Sequence, residues 1–286
     1  KTFSSELGNV TPIIVHPGNW SHSEIKHQAR KIVTTKLNNG GFNCISGQVV
    51  ILPEGWKHTD KLIKYIKYYM KNVDDRYSYY PNSMDTLNRL EKDKSYTREN
   101  GPNCVTPHLT REIKAYSKYE TNEVWSTSIY FKKLSFNNEK EFGENVIEYC
   151  NQELWGNLGA TILFKNYNSK KNKSILNNYI NNLHYGTLAI NEWAALGFII
   201  PTLPWGGFPG NKDNDIQSGQ DFVHNSMFFE SPLNGIVYSK FRMSRIIDPF
   251  WFVTNKKGKK VFKNLTYYQI DKSFINLLRL IFSTVI

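Results

Sequence analysis

Apolar residues in this chain fall into short buried-looking runs separated by stretches of helical period. Residues 10–15 (Val-Thr-Pro-Ile-Ile-Val) form a mostly apolar run that predicts a buried strand. Residues 16–20, with Pro17 and Gly18, predict a turn. A helix is expected from about Ser23, with Ser23 as its cap and Glu24 in its first turn. Ile25, Ala29, Ile32, Val33 and Leu37 recur at helical spacing and give it one buried face. Asn38-Asn39-Gly40-Gly41 stops it, because glycine accepts the left-handed angles of a C-cap. Residues 47–52 then read as a second strand, and the order strand, helix, strand is that of a right-handed crossover in a parallel sheet.

Residues 60–71 carry Leu62, Ile63, Ile66, Tyr69 and Met70 at helical spacing. The polar, aromatic stretch 72–120 reads as an irregular excursion. Strands are expected near 124–131, 161–164, 187–190 and 236–241, and helices over 139–150 and 173–183. Glycine and proline crowd residues 197–210. The most apolar run, residues 274–286, is interrupted by Arg279 and too short to cross a bilayer, so it reads as an amphipathic helix.

With 40% hydrophobic and 14% aromatic residues among 286, a substantial core can be buried, and a mean hydropathy of −0.50 fits a soluble chain. The net charge of +11 admits nucleic acid, anionic lipid or anionic substrates as partners. The Lys clusters at 170–173 and 256–263 are short and lie in turn-like polar stretches, which reads as a solvated surface. No nucleic-acid partner and no membrane partner are therefore expected. Three cysteines, Cys44, Cys104 and Cys150, without a CxxC pair exclude a disulfide framework or zinc site and fit a reducing, cytoplasmic setting. The seven histidines form no HxxxH pair, so no metal is expected.

Cys44 follows the Gly-rich turn 39–43, where backbone N–H groups can face a thiolate and lower its pKa. A cysteine in such a turn is either a nucleophile or a small core residue. Its neighbours favour the first. Glu6-Leu7-Gly8 followed by Pro12 resembles the Glu-Leu-Gly-Gly-Lys-x-Pro motif of the NAD(P)-dependent aldehyde dehydrogenases, and Asn39-x-Gly41-x-x-Cys44 resembles their nucleophile motif. Further segments resemble the family in its own order: Glu123-Val124-Trp125; Asn151 through Trp155-Gly156-Asn157-Leu158-Gly159-Ala160; Gly186-Thr187-Leu188-Ala189-Ile190-Asn191; Pro204-Trp205-Gly206-Gly207-Phe208; and Gln217-Ser218-Gly219. Asn9 and Val10 depart from the motif's Gly and Lys, Phe42 stands where Gln is common, and Trp125 and Trp205 replace Phe.

The resemblance implies a three-layer α/β/α domain with a mostly parallel, twisted sheet, over residues 1–225, followed by a C-terminal extension over 226–286. It implies aldehyde oxidation with NAD or NADP, with Cys44 as nucleophile, Glu6 as general base, and Glu123 and Trp125 on the cofactor. Cys44 is then expected in a loop at the open end of the sheet. Aldehyde is the implied substrate, and a homo-oligomer the implied assembly of the intact protein. No GxGxxG-like stretch follows a strand, and the chain opens on Lys1, so the N-terminal cofactor domain is expected to be absent from this piece. Other classes stay open: a non-catalytic relative with a binding or structural role, a cysteine hydrolase with His108, His184 or His224 as base, and a basic nucleic-acid module, which has no aromatic RNA-binding signature.

Overall fold

The computed structural model describes residues 3–114, 117–242 and 248–285. The chain runs β1 (Thr11–Val15), α1 (His22–Leu37), β2 (Gly47–Pro53), α2 (Thr59–Asn72), α3 (Ser83–Lys92), β3 (Thr97–Arg98), β4 (Leu109–Ile113), α4 (Lys118–Thr121) and β5 (Ser128–Leu134). It continues through α5 (Glu139–Gln152), β6 (Gly159–Leu163), α6 (Lys170–Asn182), β7 (Thr187–Ile190), α7 (Ala195–Ile199), β8 (Trp205–Gly206), β9 (Phe222–His224), β10 (Gly235–Tyr238), α8 (Gly258–Ile270) and α9 (Phe274–Val285).

Eight strands form one sheet in the order β10-β7-β6-β1-β2-β5-β4-β3, parallel throughout except for the antiparallel edge pair β3–β4. The central strands are buried on both faces, so their side chains alternate between two cores. Ile13, Val15, Val50 and Leu52 pack with Ile25, Ile32 and Leu37 of α1 and Leu62, Ile66 and Met70 of α2. Ile14, Val49 and Ile51 face the other way, against Leu87 of α3, Phe142 and Val146 of α5, and Tyr179 of α6. The architecture is the three-layer α/β/α arrangement. Each fully buried aliphatic side chain in these layers contributes roughly 1.5–3 kcal/mol.

Several expectations need correction. The cap of α1 is Ser21, not Ser23: its side chain accepts from the Glu24 N–H while Glu24 returns a bond to the Ser21 N–H, a capping box. The stretch 72–120 is not irregular; it supplies α3 and the sheet strand β4. The strand expected from 124 begins at Ser128, because the Val124 N–H goes to the Gln48 side chain and the Ser126 N–H turns back to the Val124 carbonyl. Lys259, Lys260 and Lys263 lie on helix α8 rather than in a solvated loop. The last strand, β10, pairs with β7 and so enters the main sheet.

His16, at the end of β1, is buried against Phe164, its Nδ1 hydrogen-bonded to the Tyr179 hydroxyl at 3.0 Å. Burial, and then the Lys171 charge, pull its pKa down to about 3. The folded state therefore binds this proton less readily than the unfolded chain. The stability it protects is full above pH 6.5 and is lost as pH falls from 6.5 toward 3, by about 1.4 kcal/mol per pH unit. Denaturant melts of wild type and His16→Phe should accordingly diverge below pH 6.5, the variant losing stability less steeply. Parallel acid slopes would show that His16 carries none of this dependence.

Candidate active site

Three segments that lead into parallel strands meet at one edge of the sheet. Glu6 precedes β1, Cys44 precedes β2, and Glu123 and Trp125 precede β5. This is the amino-terminal edge of those strands, whereas open α/β sheets ordinarily take ligands beyond the carboxyl ends.

The cysteine turn is held by backbone angles few residues adopt. Asn39, Gly40 and Gly41 have φ of 50°, 65° and 86°. A Cβ at Gly41 would run into the Ser126 carbonyl, so only glycine lets the turn lie against the strand entry beside it. Asn43 and Ser46 then close the loop: the Ser46 N–H donates to the Asn43 carbonyl at 2.9 Å, and the Asn43 N–H to the Ser46 hydroxyl at 3.2 Å. The Trp193 indole N–H fixes the Ile45 carbonyl at 2.9 Å, and Cys44 packs at the margin of a cluster of Ile45, Leu158, Trp193 and Trp205.

Glu6 is positioned from the far end of the chain. The Ser5 and Leu7 N–H groups donate to the Gln220 and Ser218 carbonyls at 2.9 and 2.8 Å, and the Ser218 hydroxyl donates to the Gly8 carbonyl at 2.9 Å. Gly219, at φ 111°, leaves no room for a Cβ against the Ser5 carbonyl. The Gln217-Ser218-Gly219 segment is thus a backbone clamp on the Glu6 segment. Asn9, buried beside it, sends its N–H to the Cys44 carbonyl at 3.3 Å and so ties the two segments together.

Electrostatically the thiol sits among carboxylates. Burial, then the charge and hydrogen bonding of Glu6, then the charge of Glu123, push Cys44 up to about 12; its own backbone N–H opposes them. The lowered pKa that a Gly-rich turn suggests does not hold, because desolvation and two acids outweigh one N–H donor. Glu123 lies on Gly8, where a Cβ would collide with its carboxylate. Burial raises Glu123 to about 7 against the pull of Lys36, a bond from the Trp125 side chain and one from the Asn9 N–H.

Lys36 is the residue that sequence reasoning missed. It is fully buried and its ammonium donates to the Val124 carbonyl at 3.0 Å, next to Glu123. Burial lowers its pKa to about 8 and the Glu123 charge partly restores it. The signal was present: Lys36 falls on the apolar stripe of α1, three residues after Val33 and four after Ile32, where a cation has no place unless a charge meets it. Tyr80 was hidden in the stretch read as irregular. It stacks on Trp125 at 5.1 Å and on Phe42 at 5.4 Å between ring centroids. A cavity of about 430 Å³ opens beside Glu123, Trp125 and Tyr80, with Arg89 and Lys118 on its rim.

The alternatives for a base place poorly. His108 is buried with its Nδ1 on the Met70 carbonyl at 2.8 Å, His184 is exposed with its ring stacked on Phe208 at 4.9 Å, and His224 bonds the Pro201 carbonyl. A larger cavity, about 910 Å³, lies at the opposite ends of β4 and β5, lined by Lys64, Glu112 and Lys133, away from the thiol. Among the described residues no group of three or more His, Cys, Asp or Glu could hold a metal, and no helix is long and apolar enough to cross a membrane.

The thiol's environment predicts its reactivity. In the protein without ligands, iodoacetamide should modify Cys44 slowly near neutrality. The rate should climb about tenfold per pH unit and keep climbing past pH 10, because only the thiolate reacts. Peptide mass spectrometry of the Cys44 fragment reads this directly; a plateau by pH 9 would mean that burial and the carboxylates do not hold the thiol up.

No protein-family model and no curated protein matches this sequence. Solved structures do match. A glyceraldehyde-3-phosphate dehydrogenase from Methanocaldococcus jannaschii, complexed with NADP, superposes with a TM-score of 0.55 at 19% identity, covering 77% of this chain and 45% of that one. An aldehyde dehydrogenase from Bacillus cereus gives 0.57 at 18%, covering 78% and 44%, and an NAD-dependent aldehyde dehydrogenase from Sinorhizobium meliloti gives 0.54 at 16%, covering 78% and 42%. The chain therefore has the aldehyde-dehydrogenase fold, and it spans less than half the length of these proteins.

Proposed function

We propose that this chain is the cysteine-bearing part of an aldehyde dehydrogenase that oxidises an aldehyde to a carboxylic acid with NAD or NADP. The observation that carries the reading is the meeting of Cys44 and Glu6, 38 positions apart in sequence, with the Glu6 carboxylate bearing on the thiol. The shared fold and the NADP and NAD named for two of the matched dehydrogenases support it.

The residues present fit one end of such a cofactor. Glu123 offers a carboxylate to sugar hydroxyls, and Trp125 and Tyr80 offer aromatic faces beside it, in a cavity whose rim carries Arg89 and Lys118. Glu123 and Trp125 would hold the nicotinamide–ribose end; when bound, the cofactor supplies a hydride acceptor.

Cys44 is protonated at rest, so attack on the aldehyde carbon requires that its proton first leave to solvent water. Sulfur then bonds the carbon and a thiohemiacetal forms. After oxidation the same carbon is a thioester. Glu6 takes a proton from water, the hydroxide displaces the Cys44 sulfur as thiolate, and the acid departs. The Cys44 backbone N–H, beside the sulfur, is one donor for the developing oxyanion.

A second reading, a relative that keeps the fold without the chemistry, is favoured by the protonated thiol and by Asn9 and Val10 in the base segment. Two measurements separate them. The intact protein containing this sequence should reduce NAD or NADP only when an aldehyde is present. An activated ester such as p-nitrophenyl acetate should acylate Cys44 in this chain without cofactor. Bound cofactor with no reduction, and no acyl adduct, would establish the second reading instead.

A further inference from the structure

The C-terminal helices form a hairpin that most of the domain leaves bare. Residues 255–286 contain Lys256, Lys257, Lys259, Lys260, Lys263, Lys272 and Arg279 against the single acid Asp271, so this stretch contributes +6 of the chain's +11. Gly258 and Val261, near the start of α8, are buried, Gly258 against the Phe250 carbonyl. Helix α9 packs on α8, and its faces are sharply divided. Leu277, Leu280 and Ser283 lie on the more sheltered side. Phe274, Ile275, Leu278, Ile281 and Phe282 make a stripe at helical spacing on the other side, each between 36% and 71% exposed. Phe262 and Ile270 of α8 add to the exposed apolar surface.

We propose that this hairpin docks the protein on an anionic membrane surface, the apolar stripe of α9 entering the headgroup–acyl boundary and the lysines of α8 and its approach meeting acidic lipid headgroups. Twelve residues of helix reach about 18 Å, short of a hydrocarbon core of about 30 Å, so α9 lies in the interface and does not cross it. Aliphatic and aromatic residues on one face beside a dense basic cluster are the composition such helices need, since the two attractions act together. Nucleic acid would use the lysines but would leave five large apolar side chains in water. A second copy would cover the stripe but bring two +6 segments together, which like-charge repulsion opposes. The sequence alone pointed to no membrane partner because its lysine clusters read as a solvated surface and residues 274–286 are too short to span; the exposed stripe becomes visible once α9 is seen to have one uncovered face.

The test is co-sedimentation of the full chain with vesicles of phosphatidylcholine, with and without about 30% phosphatidylserine, at about 0.1 and about 1 M salt. Wild type should bind the acidic vesicles at low salt, at least about tenfold more tightly than neutral ones, and lose that advantage at high salt. Leu278→Glu with Ile281→Glu should cut binding at least about tenfold, and Lys259→Gln with Lys260→Gln and Lys263→Gln should erase the preference for acidic vesicles. Both variants change exposed positions, and an unchanged thermal midpoint will show that each is folded. Absence of binding to acidic vesicles overturns the proposal. So does binding that the α9 substitutions leave intact. A dimer in sedimentation that Leu278→Glu dissociates, without vesicle binding, assigns the stripe to a second copy and overturns it as well.

Discussion

Cys44→Ala in the intact protein should lower aldehyde-dependent reduction of NAD or NADP by about 10³-fold or more, and no acyl adduct should form with an activated ester. The size follows from what the sulfur is asked to do. Without it the hydride would have to leave an aldehyde hydrate that no covalent bond holds in place. That sacrifices both the nucleophilic step and the alignment of the carbon, which can each be worth several powers of ten. Alanine fits the site: Cys44 sits at the margin of the Ile45, Leu158, Trp193 and Trp205 cluster and only partly buries its side chain, so the fold should survive. Unchanged thermal stability with lost turnover is the expected pair of results. Turnover that persists in the alanine variant would end the proposed mechanism, and activity lost only on changing a histidine would hand the chemistry to a hydrolase.

How much of this was legible in the sequence depends on whether the signal was local. Strands β1, β2 and β7 are continuous apolar runs because helices cover both faces of the sheet, and such runs can be read directly. Strand β4 was lost because its five residues, Leu-Thr-Arg-Glu-Ile, lie near the sheet edge and carry adjacent charges, Arg111 over Tyr119 on one face and Glu112 paired with Lys133 on the other, so no apolar run marks it. The crossover read from residues 10–52 put β1 and β2 in one parallel sheet, as observed, but the convergence of Glu6 with Cys44 was reachable only through resemblance, since a crossover does not fix how the segments leading into its strands approach each other. The clamp by Gln217-Ser218-Gly219 was legible as a motif but not as a contact. The state of the thiol was the opposite of what the turn suggested. A Gly-rich turn advertises N–H donors, but it does not show the two carboxylates that fold in from elsewhere, nor the buried ammonium of Lys36 that partly offsets one of them.

That arrangement makes Glu6→Gln the more discriminating change, because it should move two measurements in opposite directions. A general base for thioester hydrolysis, the role proposed for Glu6, is worth about 10²–10⁴ in rate. With glutamine the acyl group placed on Cys44 by an activated ester should therefore persist, and steady-state turnover should fall by that factor while the first acylation event remains visible by mass spectrometry. The thiol itself should become easier to ionise. A carboxylate beside a thiol disfavours the thiolate, and removing the charge lowers the thiol from about 12, although burial and Glu123 still hold it above its ordinary 9. Each pH unit by which the thiol falls gives about ten times more thiolate at pH 8. Iodoacetamide should then alkylate the variant several-fold faster than wild type under conditions in which the variant turns over far more slowly. A residue that merely props up the loop would lose both reactivities together. If alkylation slows in step with turnover, Glu6 supports the site without acting as its base.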